Sequence, residues 1–437
     1  MLEARAAHIR SCESHYSGQT VPDTLLSYNS WIEEEGGLEP MNVTVRKTTS
    51  ERALDASDIL ERAQALVPVL RQREAAALAA RDVPAETIAD FRVAGLLDLL
   101  KPRRFGGSEA SPVVFSETVE QLAFGCASSA WVYAVLVEHS WLAASFPEQA
   151  QIDMWGASPD AVASSSLAPR ATAMPAKGGY NLSGRWPFSS GSTHAQWAII
   201  GTFVETGGRR DAHYMLVPMA DIRIIDDWRV FGLLATGSRT LELDNVFVPE
   251  HRTVPLSDLN RGTPPGRDVH PHYRLLRAPR ALLAVFSQSP VTIALGRRAL
   301  DLVVNGLKRR NLRTGGKADQ SELIQSKLAE SAAEIDMAAL VLSNGRRSAL
   351  AALESGEAIS AEQIAVARRD VAFALRYART AVERLCGLTG TQWLYDDAPL
   401  QAILRDVMAA SLHLTANWDL AMVGWARVRL GIDPRTL

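Results

Sequence analysis

The sequence predicts an α+β fold, mainly α, in which a helical block, a small β-sheet and a four-helix bundle follow one another along the chain. Three observations predict it. Apolar residues recur at helical spacing from about Ser57 to Phe124, short β-prone runs bounded by glycine, proline and aspartate occupy 161–252, and helical periodicity returns after Arg280. At 437 residues one core rarely suffices, so two or three packed layers are expected. The implied boundaries are an extension over 1–40, an N-terminal helical domain over 41–158, a middle β domain over 159–256, a connector over 257–279 and a C-terminal helical bundle over 280–437.

The first forty residues are polar, lack a charged-then-apolar leader pattern and run through Glu33–Pro40 to Met41, which reads as a natural start. The expectation is a disordered or non-native extension. Ile59, Ala63, Leu66, Val67 and Leu70 then mark a helix continuing to Arg81, and Pro84 opens a second with Ile88, Phe91 and Val93. Pro102, Gly106 and Gly107 stop it. A third helix is expected over Val113–Phe124. The nearly all-apolar stretch Ala130–Ala143 follows and places its one histidine, His139, where desolvation is expected.

Tyr180–Leu182, Trp197–Val204, Tyr214–Val217 and Thr240–Val248 predict a small antiparallel sheet. A proline- and histidine-bearing connector, Ser257–His272, separates it from the remainder. Breaks near Gly315, Gly356 and 387–399 leave four segments of roughly 25 to 35 residues, long enough at about 1.5 Å per residue for an antiparallel bundle.

A net charge of −3 with no dense basic stretch argues against nucleic acid, and no apolar run approaches the roughly 20 residues that span a bilayer. Cys12, Cys126 and Cys386 are too scattered for a disulfide framework or a metal cluster. A cytoplasmic protein without a metal site is expected.

The segment Gly184-Arg-Trp-Pro-Phe-Ser-Ser-Gly191 combines rigid aromatics with small hydroxyls, which suits a planar cofactor. Trp186 and Phe188 would line it while Ser189, Ser190 and adjacent amides reach its polar edge. The same string also reads as a strand end and tight turn. No Gly-x-Gly-x-x-Gly follows a strand, so no nicotinamide-binding unit is expected.

Leu96–Gly107, Trp228–Ser238 with Asp244–Pro249, and Ile324–Ala329 resemble, in that order, signatures of the acyl-CoA dehydrogenase superfamily. The resemblance covers nearly everything after residue 57. The superfamily's dehydrogenases use a bundle glutamate, commonly within Tyr-Glu-Gly, and that tripeptide is missing here. Leu404–Asp419 stands in its place and, with Ala130–Tyr133, Glu138–Trp141 and Ser164–Pro169, resembles the oxygenase components of two-component flavin monooxygenases that hydroxylate phenols.

That resemblance implies an enzyme using dioxygen and reduced FMN or FAD, supplied by flavin diffusion from a separate reductase, with a small aromatic substrate and a homotetrameric assembly. It implies a C4a-hydroperoxyflavin sheltered in a dry pocket, with Ser190 as the hydrogen-bond donor at flavin N5 and Ser165, the middle of three serines, at the flavin edge. His413 is implied as the base that deprotonates the phenol. His139 would position the phenolic oxygen or assist proton transfer, or be a buried histidine bonded to a carbonyl. Arg280 and Arg310 would offset flavin charge, with Arg309 and Arg313 competing. On a continuous helix Asp406 and His413 stand about 10 Å apart, so Asn417 is the expected orienter of the imidazole and Asp406 an anchor for a loop or a basic group. An acyl-CoA dehydrogenase, an N- or S-oxygenase of the same fold, and a non-catalytic flavin carrier remain alternatives.

Overall fold

The computed structural model describes residues 55–312 and 315–433, so the expectation for 1–40 lies outside the described residues. The helical block consists of α1 (Ala56–Ala80), α2 (Ala85–Val93), α3 (Pro112–Gly125), α4 (Ala127–Ala144) and α5 (Glu148–Trp155). Local chemistry places the starts. Asp55 accepts from the Asp58 amide to cap α1, and Ser111 accepts from the Val113 amide ahead of Pro112, whose fixed φ suits the first helical turn. Helix α4 differs from the rest: 17 of its residues are buried, because it runs through the middle of the molecule with no solvent face.

Seven strands follow: β1 (Ala163–Ala176), β2 (Gly179–Ser189), β3 (Trp197–Thr206), β4 (Arg209–Pro218), β5 (Arg223–Ile225), β6 (Arg239–Pro249) and β7 (Thr253–Pro255). Their order is β5-β6-β2-β1-β3-β4-β7. The sheet is not purely antiparallel as expected, since β1 pairs parallel to β3, Ser165 opposite Ile199. Strand β1, unrecognised in the sequence because Ser164–Ser166 breaks its apolar pattern, turns from β3 toward β2 through register shifts near Arg170. Trp186, Ile200, Met215, Leu241 and Leu243 fill a core belonging to the sheet alone.

The connector is short helix rather than free loop, with α6 (Leu256–Arg261) and α7 (Gly266–Val269). It is held onto the helical block, where Tyr273 donates to the Leu100 carbonyl and Trp141 Nε1 to Leu275. The bundle comprises α8 (Ser289–Arg309), α9 (Glu322–Ser355), α10 (Ala361–Leu388), α11 (Pro399–Ala410) and α12 (Trp418–Arg429). The fourth expected segment is therefore broken in two. Between α11 and α12 lies a single 3-10 turn, Leu414–Ala416, and His413 caps it.

Candidate active site

Helix α4 brings the predicted site residues together. Its side facing the sheet carries Val132, Leu136 and His139, at helical spacing. A Cβ on Gly191 would lie 2.8 Å from Val132 Cγ1, and Gly191 has φ +65°, so only glycine lets the residue after Ser190 sit this close to the helix. Trp131 and Glu138 face the bundle. Trp131 meets His413 edge to face at 5.5 Å, and Glu138 accepts from Ser287 and Gln288 just ahead of α8. His139 and His413 thus address one helix from points roughly 12 Å apart along its axis.

At the sheet end, the three consecutive serines are separated by the pleat. Ser164 accepts from Ser189, Ser166 donates to the Pro187 carbonyl, and Ser165 lies 3.0 Å from His139 Nε2. The Ala163 carbonyl, which can only accept, lies 2.9 Å from His139 Nδ1 and so fixes the proton there. Nε2 is then an acceptor and the Ser165 hydroxyl its donor. The ring is 3 % exposed, and burial lowers its pKa to about 4, so it is neutral at pH 7. With both nitrogens occupied, His139 is the carbonyl-bonded histidine among the expected alternatives; it holds Ser165 and offers no nitrogen to a substrate.

Ser190 begins a second chain of hydroxyls. Its Oγ is 2.7 Å from Ser238 Oγ, which is 2.7 Å from Thr236 Oγ1, and Thr236 donates to the Leu233 carbonyl at 2.8 Å. The Gly191 amide donates to the Thr236 carbonyl and clamps the two segments. Leu233 is left-handed at φ 52°, and the carboxylate of Asp406 on α11 accepts its amide at 2.6 Å. Asp406 is the loop anchor expected. Burial raises its pKa to about 7 against that hydrogen bond.

Several expectations are corrected. Trp186 has no exposed surface and donates to the Gly201 carbonyl inside the sheet core, so it cannot touch a cofactor. Ser189 is equally buried and spends its hydroxyl on Ser164. Arg310 donates to the Leu388 carbonyl at the end of α10, roughly 30 Å along α8 from the Glu138 contact. Within one chain it stays outside the site. Asn417 caps α12 by accepting from the Leu420 amide, because the helix expected to continue through His413 is interrupted there. Thr415 takes the orienting place, its hydroxyl 2.8 Å from His413 Nδ1.

Phe188, by contrast, is 67 % exposed, has φ +67° and meets Trp228 edge to face at 6.0 Å. Arg280 stacks over Tyr214 at 5.8 Å and has a buried Nε without a hydrogen-bond partner. Its charge acts on Glu138 and His413 alike. Burial, and then Arg280, lower the His413 pKa to about 4. The surface hollow at Gly184, Arg185, Arg223 and Glu242 shares none of these residues. Sequence reasoning missed Thr236, Ser238 and Thr415, whose types are ordinary in turns and carry no spacing signal.

The chain belongs to the oxygenase components of the flavin-dependent monooxygenases, an enzyme family with the acyl-CoA dehydrogenase-like fold. Residues 286–418 match the family described as "Acyl-CoA dehydrogenase, C-terminal domain". Among relatives, the FADH(2)-dependent resorcinol hydroxylase, oxygenase component, of Rhizobium sp. (strain MTP-10005) is 36% identical, covering 82% of this chain and 90% of that one. The flavin-dependent monooxygenase oxygenase subunit HsaA of Rhodococcus jostii (strain RHA1) is 33% identical over 85% of this chain and 98% of its own. The crystal structure of the HsaA monooxygenase from M. tuberculosis superposes with a TM-score of 0.83 at 30% identity, covering 88% of this chain and 100% of that one.

Proposed function

We propose that this chain is the oxygenase component of a two-component system that hydroxylates a small phenolic or aromatic compound, using reduced FMN or FAD from a separate reductase. The observation that carries the reading is the convergence on α4 of Ser165, the Ser190 segment and His413. The residues fit a flavin. Phe188 offers an exposed ring, Ser165 and Ser190 are small polar groups at the sheet end, and Arg280 has an unused buried donor. When bound, the reduced flavin supplies activation of dioxygen and one oxygen atom for transfer.

His413 is the proposed proton acceptor for the substrate hydroxyl, with Thr415 orienting its ring. The half-buried ring has its pKa lowered to about 4, so it is neutral at pH 7 and has a lone pair free to accept the proton as oxygen is transferred. His139 holds Ser165 in place, and Trp131 packs against His413 on the side of α4.

Assembly as a cytoplasmic homotetramer through the bundle belongs to the same reading, supported by Leu340 on α9 and Leu420 and Val423 on α12, all more than half exposed. Among the described residues no helix is long and apolar enough to cross a membrane. The test combines the protein with NADH, a flavin reductase, FMN or FAD, and a panel of phenols, and measures hydroxylated product against hydrogen peroxide. Product is expected from the complete mixture only, and His413→Ala should bind flavin normally while diverting turnover to peroxide. Absence of product from every phenol, or anaerobic bleaching of flavin by acyl-CoA, would overturn the reading.

A further inference from the structure

We infer that Thr236 and Ser238 are positioning residues that hold Ser190 as a hydrogen-bond acceptor, making the site select the reduced over the oxidised flavin. The inference rests on the flavin reading above and reverses the donor role expected of Ser190. Its basis is the supply of protons in the hydroxyl chain. The Leu233 carbonyl has no proton to give, so the single Thr236 hydroxyl proton must fill the 2.8 Å contact between them. Thr236 then accepts from Ser238. Ser238, its proton committed, can make its 2.7 Å contact only by accepting from Ser190.

Ser190 has therefore committed its proton to Ser238 and keeps lone pairs for a bound partner. The three hydroxyls are buried, so water does not rescue a mismatched partner. The chain is also fixed at its far end: Leu233, whose carbonyl sets the direction, is held by Asp406 through its amide. Reduced flavin carries a proton on N5 and oxidised flavin a lone pair. An acceptor at that position favours the first and faces the second with two opposed lone pairs.

The test is anaerobic equilibrium binding of FMN and FAD, each in both redox states, to the full chain and its variants. The wild type is expected to prefer reduced flavin. Thr236→Val, of nearly the same shape, and Ser238→Ala both free the Ser190 proton, so each should tighten oxidised flavin and cut the preference by roughly tenfold, the worth of one buried hydrogen bond. Thr236→Ser should restore it. A merely structural role would weaken both redox forms together and leave the ratio unchanged, and that result overturns the inference. So does a wild type without redox preference. Failure to bind any flavin would instead refute the reading of the site itself.

Discussion

His139 shows how one proton, placed by one backbone oxygen, determines what a side chain can do. Because the Ala163 carbonyl fixes the tautomer, Ser165 must donate to the ring, and burial keeps the histidine neutral at pH 7. Its pKa falls from 6.5 in the unfolded chain to about 4 in the folded one, so between these values the unfolded state binds more protons. The sign follows: this stabilisation is complete above about pH 6.5 and is lost as the pH falls toward 4. We expect the pH-dependence of unfolding by urea to flatten over that window in His139→Gln by about 3 kcal/mol, the free energy of that shift. An unchanged slope would mean that the ring is protonated in the native state. The desolvation of His139 was legible in the sequence because it lies within a nearly all-apolar stretch of fourteen residues, Ala130–Ala143. Its partners were not legible, since Ala163 and Ser165 belong to a strand that three serines disguise.

At the scale of elements, the sequence announced helices wherever apolar spacing was regular and misjudged the places where a polar residue redirects the chain. The break between α11 and α12 is one: nothing in Leu404–Asp419 interrupts helical periodicity, yet His413 caps a separate turn. The parallel pairing of β1 with β3 is another, because hydrophobic patterning specifies which face is buried and not which neighbour is chosen. The loop from Trp228 to Ser238 depends on α11. A Cβ on Gly232 would lie 2.1 Å from the Arg405 carbonyl oxygen, and the Asp406 carboxylate holds the left-handed Leu233. Asp406→Ala should strand a buried amide and cost roughly 1–3 kcal/mol in chemical denaturation, whereas Asp406→Asn keeps an acceptor and should lose less than half as much. Equal losses in the two variants would show that the carboxylate's charge, rather than its acceptor oxygen, is what the loop requires.

At the scale of the molecule, the order of helices, sheet and bundle was readable because each block has its own periodicity. The site was only partly readable, because α4 assembles it from segments up to 282 positions apart, as between Trp131 and His413. The expected tetramer makes a specific demand on the bundle surface. Leu420→Glu combined with Val423→Glu on α12 should lower the mass measured by light scattering while leaving the helical circular dichroism intact. A mass unchanged from wild type would place the interface elsewhere.

The hydrogen bond from the Leu233 amide to Asp406 spans 173 residues of chain. During synthesis the sheet emerges long before that carboxylate does, so the turn bearing Thr236 and Ser238 lacks its Asp406 anchor until α11 has been made. A nascent or truncated chain lacking α11 would carry every residue of the hydroxyl series and yet lack the carboxylate that holds Leu233. Maturation of this site thus waits on the arrival of α11.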